Sequence, residues 1–245
     1  MIELKSVVKK YGNTIALNGV SLSVQKGDFF GLLGPNGAGK STLMNLMVTY
    51  LAADSGTISY DGVDITRDTT SIKQKTGFVP QTIALYDDLS AEENLSIFGS
   101  LYQIPSSVLR ARMMESLSAV GLYDRRKDKV KAFSGGMKRR LNIIASLLHK
   151  PTILLCDEPT VGIDPQSRNA IFDYLELLNK EGMTIVYTTH YMEEAERMCK
   201  NIAIIDKGEI IATGTLQQLL SLYPSSGDII VRDVHLYSDC TDSLS

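Results

Sequence analysis

The nine residues Gly34-Pro35-Asn36-Gly37-Ala38-Gly39-Lys40-Ser41-Thr42 constrain this chain more than any other stretch. They satisfy the phosphate-loop pattern G-x-x-x-x-G-K-[ST] at each fixed position. Such a loop needs a buried strand before it and a helix start after it. The apolar run Phe29-Phe30-Gly31-Leu32-Leu33 reads as the strand, and Leu43-Met44-Asn45-Leu46-Met47-Val48 reads as the helix start. Glycines let the backbone N–H groups turn inward around an anion, and the helix adds its positive end. Lys40 would reach the β- and γ-phosphates of a nucleoside triphosphate, and the Ser41 hydroxyl would ligate Mg²⁺. The loop predicts a nucleotide site without saying what the nucleotide drives.

Composition narrows the class. The chain has 245 residues, 44% hydrophobic and 22% charged, with a formal net charge of −3. That is ordinary globular composition, with length for one large domain or two small ones. A slightly acidic balance argues against a nucleic-acid surface. No apolar run approaches the roughly 18 residues needed to cross a membrane. Met1-Ile2-Glu3-Leu4-Lys5 enters strand-like alternation at once, so no signal segment is expected. Cys156, Cys199 and Cys240 are far apart and odd in number, which fits a reducing compartment.

Alternation predicts strands at 2–8 and 20–24, with turns at Gly12, Asn13 and Gly27. Residues 57–65 read as a hairpin turning at Asp61-Gly62, and 77–80 as a short strand stopped by Pro80. Ala91, Leu95, Phe98 and Tyr102 share one helix face, and Ser90 with Glu93 makes a capping box. Pro105 ends that helix, and a second spans 106–120 up to Gly121. The mixed-charge run from Asp124 to Lys131 reads as a solvated loop. A third helix presents Met137, Leu141, Ile144, Ala145 and Leu148 on one face. Strands are then expected at 153–156, 183–188, 201–206 and 209–213, with helices at 166–180 and 191–199. This alternation predicts a parallel sheet flanked by helices. His149 and His235 read as surface residues, and the tail after Pro224 as polar apart from Ile229-Ile230-Val231.

Further elements follow the phosphate loop. Ser134-Gly135-Gly136 opens a helix and makes a second anion site. One nucleotide does not need two such sites, so this one is expected to face the nucleotide of another copy. Ile153-Leu154-Leu155-Cys156 ends in Asp157 and Glu158; Asp157 can hold the Mg²⁺ shell, and Glu158 can orient or deprotonate water. Gln81, at a strand exit, could touch Mg²⁺ or that water. His190, after Tyr187-Thr188-Thr189, could hydrogen-bond the γ-phosphate. Asp164, in Val161-Gly162-Ile163-Asp164-Pro165, reads by itself as a turn residue or helix N-cap.

With these motifs in this order, the chain resembles the ATP-binding cassette (ABC) ATPases, the nucleotide-binding subunits of ABC transporters. The likeness covers about residues 1–222 and leaves 223–245 as a short tail. It implies an α/β P-loop NTPase fold: a mixed sheet core, an antiparallel β subdomain, and a helical subdomain at about 82–150 carrying the signature Phe133-Ser134-Gly135-Gly136-Met137. It implies ATP and Mg²⁺ as ligands, Glu158 as catalytic base, His190 on the γ-phosphate, and Gln81 sensing Mg²⁺ and coupling to the membrane partner. It adds the Asp164 loop to the nucleotide site and Tyr11 as the aromatic stacked on adenine.

Against the commoner Leu-Ser-Gly-Gly-Gln signature, Phe133 and Met137 are departures, and Met137 removes an amide donor. The form Phe-Ser-Gly-Gly-Met-Lys-Arg-Arg-Leu looks like the drug- and lipid-exporter (ABC-2) subfamily with separate membrane subunits. The resemblance implies a head-to-tail pair, homodimer or with a paralogue, at the cytoplasmic face of the cell membrane and bound to an integral membrane permease.

An importer ATPase is the alternative, although many sugar-importer subunits add a C-terminal regulatory domain for which about 20 residues leave no room. A soluble repair or translation ATPase fits less well: fewer than 100 residues separate Lys40 from Ser134, without sustained heptads, and the chain has one cassette. The transported substrate is not written in the sequence.

Overall fold

Strands as apolar as Phe29–Leu33 and Ile153–Asp157 must be covered on both faces, and the architecture is built around that need. The computed structural model describes residues 1–222. The tail at 223–245, with Ile229-Ile230-Val231, His235 and Cys240, lies outside the described residues.

In chain order, β1 (Ile2–Tyr11) and β2 (Thr14–Val24) form a hairpin, and β3 (Phe29–Leu33) leads into α1 (Lys40–Met47). A second hairpin, β4 (Ser55–Tyr60) and β5 (Val63–Asp64), precedes α2 (Thr69–Lys75) and β6 (Thr76–Val79). Three helices follow: α3 (Ala91–Leu101), α4 (Ser106–Ala119) and α5 (Gly135–Ala145). Single 3₁₀ turns at Tyr123–Arg125 and Val130–Ala132 join the last two. Alternation then sets in with β7 (Ile153–Asp157), α6 (Pro165–Lys180), β8 (Thr184–Thr189), α7 (Met192–Met198) and β9 (Asn201–Asp206). The order closes with β10 (Glu209–Gly214) and α8 (Leu216–Ser221).

Two sheets result. The smaller is antiparallel, in the order β2-β1-β4-β5. The larger runs β10-β9-β3-β8-β7-β6, parallel except for the β9–β10 pair. Successive residues of β3 serve opposite faces. Phe30 and Leu32 join α1 residues Leu43, Met44, Leu46 and Met47 and the small sheet in one core, while Phe29 packs with Ile171, Phe172 and Leu175 of α6 on the other side. Each fully buried side chain of this kind contributes about 1.5–3 kcal/mol. The middle helices pack around a core of their own, including Leu95, Leu109, Leu117, Val130, Leu141 and Ile144.

The structure departs from the sequence reading in several places. α8 at Leu216–Ser221 was not expected, and α5 ends at Ala145, short of Leu148. β1 and β2 are longer than expected, because they pair out to Tyr11 and Thr14 around Gly12 at φ +58°. α2 was missed: Asp68 caps it, but its one buried residue, Ile72, leaves no periodicity to read. The charged run at 124–131 is not merely solvated. Val130 is fully buried in the helical core, and Ser90 bridges to Lys129. His149 is half-buried instead of lying free on the surface. Its ring stacks on Tyr102 with centroids 3.8 Å apart, and Nε2 lies 3.2 Å from the Thr76 carbonyl.

Candidate nucleotide site

The carboxyl ends of four neighbouring strands, β3, β8, β7 and β6, carry the phosphate loop, His190, Asp157-Glu158 and Gln81 respectively. That edge of an open parallel sheet is where ligands bind in such folds. A cleft of about 360 Å³ opens there, lined by Ala16, Asn36, Gly37, Gly39, Lys40, Ser41, Thr42, Gln81, Glu158, Val161 and His190. Gly39 sits at φ +107°, a conformation side chains rarely adopt, and precedes α1 without a side-chain cap. The first-turn N–H groups of α1 therefore have no capping side chain and suit an anion. Gly34 has its own reason: a Cβ there would overlap the carbonyl oxygen of Ile205. Pro35 and Ala38 complete the loop, with Ala38 buried.

Glu158 is the hub. Its carboxylate is buried, with Oε1 3.0 Å from Lys40 Nζ. Gln81 Nε2 donates to Oε2 at 3.3 Å, and His190 Nδ1 lies 3.3 Å from the same oxygen. The His190 contact is out of line for a hydrogen bond, so Nδ1 is a buried polar atom without a hydrogen-bond partner among the described residues. Lys40 also donates to the carbonyls of Gly34 at 2.7 Å and Pro35 at 3.0 Å. All three ammonium protons are thus directed, and a phosphate oxygen at Lys40 would compete with Glu158. Glu158 has φ +44°, in the left-handed region. Such strain costs of the order of 1–3 kcal/mol and concentrates at functional sites.

Thr188 was not anticipated. Its hydroxyl accepts from the Glu158 N–H at 2.9 Å and donates to Asp157 Oδ1 at 2.7 Å, which orients both carboxylate residues from the adjacent strand. Asp157 is buried behind the cleft lining. Arg139 was also missed. It lies on the signature helix, and its guanidinium donates to the carbonyls of Pro80 and Gln81. The only signals in the sequence were a threonine in an apolar strand and an arginine on the inward side of α5. Ala16 and Val161, which line the cleft, carried no signal.

Ser134, Gly135, Gly136, Asp164 and Tyr11 do not line this cleft. Ser134 is exposed and caps α5, accepting from Met137 N–H at 3.3 Å. Gly136 packs so tightly on α6 that a Cβ would overlap the Ser167 side chain. Asp164 caps α6, accepting from Ser167 N–H at 2.9 Å, and that hydrogen bond holds its carboxyl below the usual range. The signature and the Asp164 loop are therefore neighbours. The Met137 thioether, where the commoner signature has an amide, lies 3.4 Å from Arg125 Nη1. Tyr11 is half-exposed at the end of β1, with Lys9 Nζ 5.7 Å from its ring centre.

The chain is similar to known proteins over most of its length. The family model described as ABC transporter matches residues 17–161. The linearmycin resistance ATP-binding protein LnrL of Bacillus subtilis (strain 168) is 50% identical over 232 residues, covering 95% of this chain and 74% of that protein. The daunorubicin/doxorubicin resistance ATP-binding protein DrrA of Streptomyces peucetius is 40% identical, covering 94% and 69% respectively. A solved dimeric ATP-binding cassette in a post-hydrolysis state, bound to ADP and Pi, superposes with a TM-score of 0.80 at 30% identity, covering 88% of this chain and 99% of that one.

Proposed function

This chain belongs to the ABC transporter family, and we propose that it binds and hydrolyses ATP to power export through a separate membrane permease. The observation that carries the reading is the convergence of Lys40, Gln81 and His190 on the Glu158 carboxylate at adjoining strand ends. Relatives whose names record drug resistance and Nod factor export favour export over the importer alternative.

Lys40 and the loop N–H groups hold the β- and γ-phosphates, and Tyr11 stacks on the adenine. Glu158 orients the attacking water and takes its proton. The His190 imidazole, which lines the cleft, hydrogen-bonds the γ-phosphate. Ser41, Asp157 and Gln81 hold Mg²⁺, which when bound neutralises charge on the phosphates. Each of the three offers an oxygen, the donor Mg²⁺ takes: the Ser41 hydroxyl, the Asp157 carboxylate and the Gln81 side-chain amide.

Ser134, Gly135 and Gly136, with Asp164 beside them, serve the nucleotide of a second ATPase subunit, a copy of this chain or a paralogue. The exposure of Ser134, Gly135 and Asp164, outside the chain's own cleft, supports that arrangement. No helix among the described residues is long and apolar enough to cross a membrane. In this reading the permease holds the chain at the cytoplasmic face, docked on the segment from Gln81 to about Pro105. The cassette spans 1–222, with its helical part at about 82–150. Purification from native membranes tests the whole reading: an integral membrane partner is expected, and recovery only with ribosomes or DNA would overturn it.

A further inference from the structure

Glu194 lies on α7, is 4% exposed, and has no part in the chemistry above. A carboxylate at that depth is costly unless satisfied. Three hydroxyls and a guanidinium serve it. Thr160 Oγ1 donates to Oε1 at 2.8 Å, Tyr187 Oη to Oε2 at 2.9 Å, and Thr189 Oγ1 to Oε2 at 2.7 Å. Arg168 Nε lies 3.9 Å from Oε1.

The positions of these donors carry the argument. Thr160 is two residues after Glu158, and Thr189 immediately precedes His190. Thr189 Oγ1 also accepts from Tyr191 N–H at 3.0 Å, so both flanks of His190 are tied to one carboxylate. The rings of Tyr191 and His190 are 4.0 Å apart, and the Arg168 guanidinium sits 5.9 Å from the Tyr191 ring centre. Arg168 also approaches the Ile163 carbonyl, at 3.5 Å, next to Asp164. Apolar filling alone does not need a carboxylate here, since α7 buries Ala195 and Met198 as well.

We propose that Glu194 is a positioning residue for hydrolysis: a buried clamp that fixes the loop after Glu158 and the loop carrying His190 in one mutual geometry. The proposal rests on Glu158 and His190 being the hydrolytic groups.

Four single variants of the full chain test it: Glu194→Ala, Glu194→Gln, Thr189→Val and, as the hydroxyl-retaining control, Thr189→Ser. Steady-state kinetics, titration with a fluorescent ATP analogue, thermal melting and the imidazole NMR signals of His190 are read on each. Glu194→Ala and Thr189→Val should lower kcat by about tenfold or more, with KM and analogue affinity within about twofold. Both should shift the His190 signals, and Thr189→Ser should keep turnover. The Glu194→Ala/Thr189→Val double variant should lose little beyond the worse single, because the two act through one unit. If Glu194→Ala destabilises the fold, Glu194→Gln and Thr189→Val carry the same comparison.

Turnover within about twofold of the parent in folded Glu194 and Thr189→Val variants, unchanged His190 signals, or a loss wholly explained by weaker nucleotide binding would overturn the clamp. Glu158→Gln separates the layers. If it is inactive while the Glu194 variants turn over normally, only the clamp falls; if it turns over normally, the hydrolytic reading falls with it.

Discussion

Glu158 is met by four groups from three segments, Lys40, Gln81, and Thr188 and His190 at the end of β8, and each can be perturbed alone. Replacing it with Gln keeps the shape and removes the carboxylate proposed as the base. Lys40 retains two carbonyl acceptors, so nucleotide binding should survive. Glu158→Gln should lower phosphate release by about 10²–10⁴-fold and leave an ATP-bound dimer that persists in size-exclusion chromatography. Normal turnover would remove Glu158 from the mechanism. A second residue-level consequence concerns His149. Burial is the main cause holding its imidazole below the ordinary 6.5; the Thr76 carbonyl opposes that shift, and Arg112 reinforces it. The unfolded chain therefore binds more protons than the folded one below about pH 6.5, and stability rises with pH across that window. The contribution of neutral His149 is complete above the unfolded value and is lost as pH falls through the folded one. Between about pH 7.5 and 5.5, the parent's melting temperature should fall further than that of His149→Phe, which keeps an aromatic ring against Tyr102. Equal falls would count against His149.

At the scale of elements, α3 shows local sequence and tertiary contacts agreeing. Its capping box forms as the spacing predicts: Glu93 N–H donates to Ser90 Oγ at 3.2 Å, and Ser90 N–H to Glu93 Oε2 at 2.7 Å. Ser90→Ala should cost about 0.5–2 kcal/mol, read as a lower urea midpoint; an unchanged midpoint would show the cap to be redundant. Redundancy has a physical route, because buried Asn94 fastens the same loop by accepting from Tyr86 N–H at 2.8 Å and donating to the Tyr86 and Ser90 carbonyls. The box was legible because capping is written within four residues. α2 was not, because a seven-residue helix with one buried side chain has no repeat to detect. The run at 124–131 misled because its charges outweigh Val130, whose burial depends on helices distant in sequence.

At the scale of the molecule, the chain presents a cleft and, outside its lining, the exposed Ser134 and Gly135 at the start of α5. Ser134→Arg should abolish hydrolysis while leaving nucleotide affinity of the single subunit within about twofold, since the added bulk lies outside the chain's own cleft. Loss of subunit binding would overturn the shared site. Arg139 gives the two regions a mechanical link, because it joins the signature helix to the Pro80 and Gln81 carbonyls.

The sequence by itself determined the phosphate-loop pattern, most strands and helices, and where the carboxylates, the imidazole and the ammonium group of the candidate site stand in the chain. These are properties of short segments: apolar runs, caps, glycines and fixed spacings. Only the tertiary structure decided that β3, β8, β7 and β6 lie side by side, so that Lys40, Gln81, Glu158 and His190 meet. It alone revealed the hydrogen bonds of Thr188, Arg139 and Glu194. Strand order in a parallel sheet is fixed by packing between residues far apart in the chain, and a buried polar side chain shows its role only when its partners are in place.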